Sequence, residues 1–364
     1  MRRSTFLLKQ ATKGLYKLPL LEIARRSPGF IGVVPVRPIR AVINITHNCN
    51  SRCITCYHWK EKSRDELTVT ELSDVLCQLK ALGIADLCLS GGEPLLRDDL
   101  PDIVHKACDL KFDRIHVMTN GLLLTRERLE RLVESGITSV YISLNGSENV
   151  HDMTRGIKGA YAKTMDALKT LVELRNSKFP HLEINVLTIV MGLTVGEVID
   201  VANICRQWSI GLSLSPLTTS RPWNATVSAD LRSMNQEQLD HVVGELHRIK
   251  RTYPSSIRAS HASLEYVRHY FADPKREDIP CYLGYLVIGV GPHGEVFPGC
   301  WSLPPVGNLM QASLEQIIGS KAYRERVRDM FLKRCPGCAC DYTLNLYAHF
   351  PSLVEEIRWR LRLA

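Results

Sequence analysis

From residue 41 onward, short apolar or β-branched segments alternate with longer amphipathic ones, and this alternation constrains the fold more than any other feature. Residues 41–46 (AVINIT), 86–90 (DLCLS), 114–119 (RIHVMT), 139–144 (SVYISL), 183–190 (EINVLTIV) and 211–217 (GLSLSPL) have the length and composition of buried strands. The intervening segments carry helix signals. Thr68 with Glu71 and Thr194 with Glu197 fit capping boxes, Thr125 is a plainer N-cap with Glu127 in the first turn, Pro101 suits a first turn, and Gly136 suits a helix end. Repeated strand–helix units predict a parallel sheet with helices outside it. Six units are fewer than the eight of a closed barrel, so a partial barrel and an open doubly wound sheet both fit, and in either the site is built by loops after the strands' C-terminal ends.

The first such loop holds three cysteines. In "NITHNCNSRCITCYHW", Cys49, Cys53 and Cys56 are spaced C-x3-C-x2-C. Positions i, i+4 and i+7 share a helix face, but Asn48, Asn50, Ser51, Arg52 and Thr55 make a polar filling suited to a loop. Zinc would need a fourth ligand, with His47 or His58 at hand. Three thiolates without a fourth suit a four-iron four-sulfur cluster with one open iron, since such clusters normally take four cysteines.

With Tyr57 after the third cysteine and "SGGEP" at 90–94 after the second strand, the pattern resembles the radical S-adenosylmethionine (radical SAM) superfamily. "MTNG" (118–121) and "ISLNGSENVHDMTRG" (142–156) continue the resemblance, with Asn145 where that family usually has Asp. The resemblance implies a partial (β/α)6 TIM-like barrel whose open iron chelates SAM. Reduced cluster would cleave SAM to methionine and a 5′-deoxyadenosyl radical that abstracts hydrogen from substrate. It also implies roles for particular residues. Gly91 and Gly92 would let backbone approach the ligand, Glu93 of the Glu93–Pro94 pair would accept from the SAM ammonium, and Arg155 would pair with its carboxylate. Ser143 and Asn120 would hydrogen-bond SAM, and Tyr57 would lie near the adenine.

A second group, Cys281, Cys300, Cys335, Cys338 and Cys340, follows a hairpin turning at "GPHGE". With "GEVFPGC" and "VGNL" (306–309) it resembles the SPASM/twitch extension of radical SAM enzymes, and implies a small Cys-rich C-terminal iron-sulfur domain holding one auxiliary four-iron four-sulfur cluster. Cys281, Cys300, Cys335 and Cys338 would ligate it, with Cys340 an alternative to Cys338; a structural zinc ribbon competes with this reading. Cys77, Cys88, Cys108 and Cys205 stand alone and are read as small buried hydrophobes. The expected domains are a basic extension at 1–40, the barrel at 41–275, the auxiliary domain at 276–345 and a closing helix at 346–364.

Of the formal charge of +8, residues 1–30 hold most, with seven basic side chains against Glu22. The body is therefore near neutral, which argues against nucleic-acid binding. The arm is read either as an amphipathic helix drawn to anionic lipid or an acidic partner, or as a helix lying across the body with a solvated Lys/Arg face, the second being favoured. No run of about 18 apolar residues and no signal peptide are seen, so the cytoplasm is expected.

These features together imply oxidative modification, by dehydrogenation or bond formation, of a small natural-product, sugar or lipid precursor, with flavodoxin or ferredoxin as electron donor. The alternative is crosslinking or epimerisation of a ribosomal peptide; the 40 residues before the first strand are too few for a leader-binding domain, which tilts the reading to small molecules. A zinc-stabilised nucleic-acid or membrane-binding protein is the alternative of another class. No catalytic base is assigned: Asp341, Tyr342, Glu265, His261 and His269 have the right chemistry but no motif.

Overall fold

The structure is a computed structural model that describes residues 17–60, 63–224, 227–274, 280–335, 337, 338 and 354. Six strands follow the expected segments closely: β1 (Arg40–Thr46), β2 (Asp86–Gly91), β3 (Arg114–Thr119), β4 (Ser139–Ser143), β5 (Glu183–Val190) and β6 (Gly211–Pro216). Neighbours in sequence pair in parallel from β1 to β6. Helices Val69–Ala81, Leu100–Asp109, Arg126–Glu134, Ala160–Ser177 and Val198–Gln207 lie between consecutive strands, the arrangement of a partial (β/α)6 barrel.

The C-terminal segment does not begin a new sheet. Strand β7 (Val287–Val290) pairs in parallel with the outer edge of β1. Strands β8 (Glu295–Phe297) and β9 (Gly307–Asn308) then continue antiparallel, giving one sheet ordered β6-β5-β4-β3-β2-β1-β7-β8-β9. The hairpin expected at "GPHGE" is the β7–β8 turn.

Burial separates the sheet's two faces. Ile115, Val117, Val140, Ile142, Ile184 and Val186 are at most 3% exposed and pack in the main core with helix residues such as Leu129, Leu168 and Val198. Their neighbours along each strand, Met118, Tyr141, Ser143 and Leu187, are half-buried. This alternation marks a concave face that is not filled like a solid core.

The helix signals mostly hold. Thr68 and Glu71 form the full capping box, and Thr125 accepts from Arg128 N. Thr194 does not cap as expected: its hydroxyl donates to Ile189 O, and the Glu197 carboxylate accepts from Ser147 N. A local carbonyl at the end of β5 took one end of that box and the backbone after β4 took the other. Cys88 and Cys205 are buried, whereas Cys77 and Cys108 are exposed, because their helices turn those positions away from the sheet.

The helix Lys17–Arg26 lies on the body: Leu21 and Ala24 are buried in the main core, while Arg25 and Arg26 pair with Glu22. For residues 17–26 this matches the reading of a helix with a solvated basic face. Residues 1–16, Cys340, Asp341, Tyr342 and the closing helix, Val354 excepted, lie outside the described residues. Among the described residues no helix is long and apolar enough to cross a membrane.

Candidate functional site

At the end of β1 the β1–β2 register shifts between Asn44 and Thr46, and the chain leaves the sheet as the cysteine loop. Neighbouring strand ends hold that loop through backbone and amide groups. Gly92 N donates to Thr46 O at 2.8 Å and Glu93 N to Asn48 O at 2.8 Å. From the other side, Arg52 N donates to Arg155 O and Ile54 N to Thr154 O, so the C-terminal carbonyls of the helix Glu148–Arg155 are satisfied by the loop. Asn120 Nδ2 donates to Asn50 Oδ1 and Ser51 Oγ.

These contacts give several of the expected site residues partners within the protein. Gly91 has φ +132°, and a Cβ on it would stand 2.1 Å from Thr46 O; one on Gly92 would stand 2.2 Å from Asn48 O. The two glycines therefore admit the cysteine loop's own backbone. Gly91→Ala is expected to cost about 3 kcal/mol or more in denaturant unfolding, since both the positive φ and the clash with backbone oppose it. The Glu93 carboxylate is fully buried and accepts from Leu95 N, Thr119 Oγ1 and Asn120 N. Pro94 is buried in the first position of a short 3-10 turn capped by Glu93. Asn120 spends its amide on the loop and on Leu122 N. Tyr57 packs beside Met191, Leu217 and Val227, with Lys60 Nζ 4.1 Å from its ring centroid. Ser143 is half-buried at the end of β4.

Each of the three sulfurs receives an N–H: Cys49 from Ser51 N at 3.5 Å, Cys53 from Arg155 Nη1 at 3.5 Å, and Cys56 from the backbone at His58. Burial pushes the Cys49 thiol up to about 12 and the Cys56 thiol up to about 11, so a metal centre would have to hold them as thiolates. Arg155 is 8% exposed, and its Nε is buried with no hydrogen-bond partner among the described residues. A guanidinium left so beside a cysteine trio fits an anionic group of a bound ligand. Among the described residues no three His, Cys, Asp or Glu side chains are gathered tightly enough to hold a metal ion. Cysteines that ligate different irons of one cluster stand further apart than ligands of a single ion.

In the second group, Cys300 is buried with Leu283, Val287 and Met330, and Cys281 and Cys338 pack on the same cluster. Tyr266 OH donates to Cys338 O at 3.1 Å, tying the helix His261–Tyr270 to this region. Cys335 is half-buried.

Residues 43–204 match the radical SAM superfamily. That span, under half of the chain, is its radical SAM domain. Its cofactors are accordingly SAM and a four-iron four-sulfur cluster. It is 34% identical over 158 residues to the PqqA peptide cyclase of Bradyrhizobium diazoefficiens, covering 43% of this chain and 40% of that one. It thus spans under half the length of that relative. It is 25% identical over 341 residues to the AdoMet-dependent heme synthase of Methanosarcina barkeri, covering 86% of this chain and 93% of that one. The fold is similar to that of Streptococcus suis SuiB bound to precursor peptide SuiA, at TM-score 0.64 and 15% identity over 96% of this chain and 77% of that one.

Sequence reasoning missed several residues that build this site. Arg97 donates to Ile45 O and Leu67 O while pairing with Asp99, and Glu66 accepts from Thr46 Oγ1 and His47 N. Their signal is a half-buried charge near a loop, which no local pattern announces. His261 and Glu265, which the sequence offered as proton acceptors, are hydrogen-bonded to His247, at 2.6 Å each, between two outer helices; His269 is exposed.

Proposed function

We propose that this chain is an oxidative radical SAM enzyme that uses a SAM-binding cluster on Cys49, Cys53 and Cys56 and one auxiliary cluster on Cys281, Cys300, Cys335 and Cys338 or Cys340, and that its substrate is a small precursor. The observation that carries the first part is the cysteine loop itself: three sulfurs, each given an N–H donor, beside an Arg155 Nε that has no hydrogen-bond partner among the described residues. When bound, the SAM-site cluster supplies the electron that cleaves SAM and releases the radical that takes hydrogen from substrate.

The chain's residues position that chemistry. Glu93, Asn120 and the carbonyls of Thr154 and Arg155 fix the loop's path, and the Arg155 guanidinium would meet the SAM carboxylate. Ser143 and Tyr57 stand at the rim for the rest of SAM. The region around Cys300 and Cys338 adjoins the barrel through β7 and Tyr266, which suits an auxiliary centre that accepts an electron from the substrate. The small-precursor reading draws on the heme synthase, which the chain matches nearly end to end. A peptide substrate is the second reading, drawn from the PqqA peptide cyclase.

Anaerobically purified protein is expected to contain about eight irons per chain, with matching acid-labile sulfide, for two clusters of four. With dithionite and SAM it should release 5′-deoxyadenosine. A colourless protein with zinc and no iron would sink the proposal, and about four irons per chain would remove the auxiliary cluster. Deuterium transfer from labelled candidates into 5′-deoxyadenosine would separate small-molecule from peptide substrates.

A further inference from the structure

The arm that precedes β1 keeps apolar side chains at the surface although it is packed on the body. The helix Lys17–Arg26 and the 3-10 turn Pro28–Val33 bury Leu21, Ala24 and Ile31 in the main core, and Val34 joins them there. Hydrogen bonds fix the same stretch: Tyr285 OH donates to Ile31 O at 3.3 Å, and Ile39 N donates to Leu286 O at 2.9 Å. On the side turned away from the body, Ile23 is 47% exposed, Phe30 55% and Val33 65%. The other large exposed hydrophobics among the described residues, Leu96, Met153, Tyr253 and Met310, are spread singly along the chain. A lone apolar residue at a surface is ordinary, whereas a group of them on one short segment marks a contact surface.

Charge gathers on the same arm. Residues 1–40 hold nine Lys and Arg against Glu22 alone, which equals the formal net charge of the whole chain, +8, so residues 41–364 balance. Within the described part, Arg25 and Arg26 both donate to Glu22, at 2.7 and 2.9 Å, and that trio keeps one positive charge. The Arg26 side chain is 73% exposed, and Arg37 is exposed as well. Basic side chains beside outward aromatic and branched aliphatic ones make the composition of a segment that lies in a lipid–water interface. There the apolar groups leave water and the cations meet the negative surface potential of the leaflet. The helix Lys17–Arg26 has 10 residues, about half of what a membrane span needs, so it can lie on a bilayer but not cross one.

We infer that residues 17–40 dock this protein onto the surface of a bilayer that contains anionic lipid, with Ile23, Phe30 and Val33 entering the interface and the positive charge of the arm drawing it there. Nucleic acid would use the charge and the Phe30 ring, but Ile23 and Val33 offer no ring on which bases stack. A second copy bound symmetrically through this patch would set two arms of the same charge against each other. The arm enters β1 at its N-terminal end, away from the cysteine loop, and residues 1–40 contain no cysteine, so the inference does not rest on the cluster chemistry.

The test is flotation of the whole holoprotein chain with vesicles of phosphatidylcholine alone and with vesicles of phosphatidylcholine and phosphatidylglycerol in equal parts. Partition into the mixed vesicles is expected to be at least about tenfold stronger at low salt, and high salt should remove most of that difference by screening. Phe30→Ser combined with Val33→Ser should weaken partition at least about tenfold, since both side chains would otherwise leave water. Arg26→Gln should weaken it about fivefold, the share of one basic residue near an anionic surface. Met310→Ser, at an exposed residue outside the arm, should leave partition unchanged. Equal binding to both kinds of vesicle, binding to neither, or a Phe30→Ser/Val33→Ser variant that floats like wild type would overturn the inference. A dimer in gel filtration that the double variant breaks, from protein that ignores vesicles, would make the patch a contact between copies. A single-stranded oligonucleotide that binds the arm and is not displaced by mixed vesicles would assign it to nucleic acid, and either result likewise overturns docking on lipid.

Discussion

Replacing Cys49, Cys53 and Cys56 together by alanine is expected to reduce 5′-deoxyadenosine formation from SAM and dithionite to the protein-free background and to lower iron by about four atoms per chain, the content of one cubane. The expectation comes from the way the loop is built. Three sulfurs sit on one short segment, each receives an N–H, and burial keeps at least two of them from ionising in water. Such thiols hold charge only with a metal, so removing them removes the centre outright. The fold should survive, because the loop is fixed by Gly92, Glu93, Asn120 and the carbonyls of Thr154 and Arg155, which do not involve sulfur. Circular dichroism that matches wild type, with iron halved and SAM cleavage gone, is the expected set of results. Cleavage that persists in the triple variant would place the SAM-cleaving cluster elsewhere, with Cys281 through Cys338 the first place to look.

The barrel was legible because its strands are buried on the helix-facing side whatever lies opposite, so Ile115, Val140, Ile184 and their neighbours announce themselves as apolar runs. The cysteine loop was legible through its spacing together with its polar filling, its place after the first strand and the later "SGGEP". Burial by contrast depends on which way a helix is rolled, and Cys77 and Cys108 lie on helix positions that the local pattern did not separate from Cys88 and Cys205. The Thr194 box failed for a related reason: Ser147 N, distant in sequence, took the Glu197 carboxylate, while the Thr194 hydroxyl turned back to Ile189 O at the end of β5. The protein partners of Glu93 and Asn120 lie on segments distant in sequence, so motif order did not announce them.

Glu93 is where the site and the fold share one group, and Glu93→Ala is expected to cost about 3–5 kcal/mol in unfolding free energy, together with loss of iron. The carboxylate accepts from Thr119 Oγ1 at 2.7 Å, Asn120 N at 2.7 Å and Leu95 N at 3.1 Å. Truncation strands three buried donors at once, each facing the desolvation cost of an unmade hydrogen bond. Glu93→Gln keeps one acceptor oxygen and the side-chain volume, so a smaller loss of about 1–2 kcal/mol is expected. The two variants should also differ in pH response. Burial raises the Glu93 carboxyl above its ordinary 4.5, against the pull of its three donors and of Arg155. A raised folded value means that the stability gained from the proton is fully present below about 4.5 and is lost as the pH rises through the folded value. The advantage of wild type over Glu93→Gln should therefore shrink as pH rises above that range, measured by urea unfolding of the metal-free protein. A Glu93→Ala variant as stable as wild type, retaining its iron, would show that the strand ends do not need this carboxylate to hold the cysteine loop.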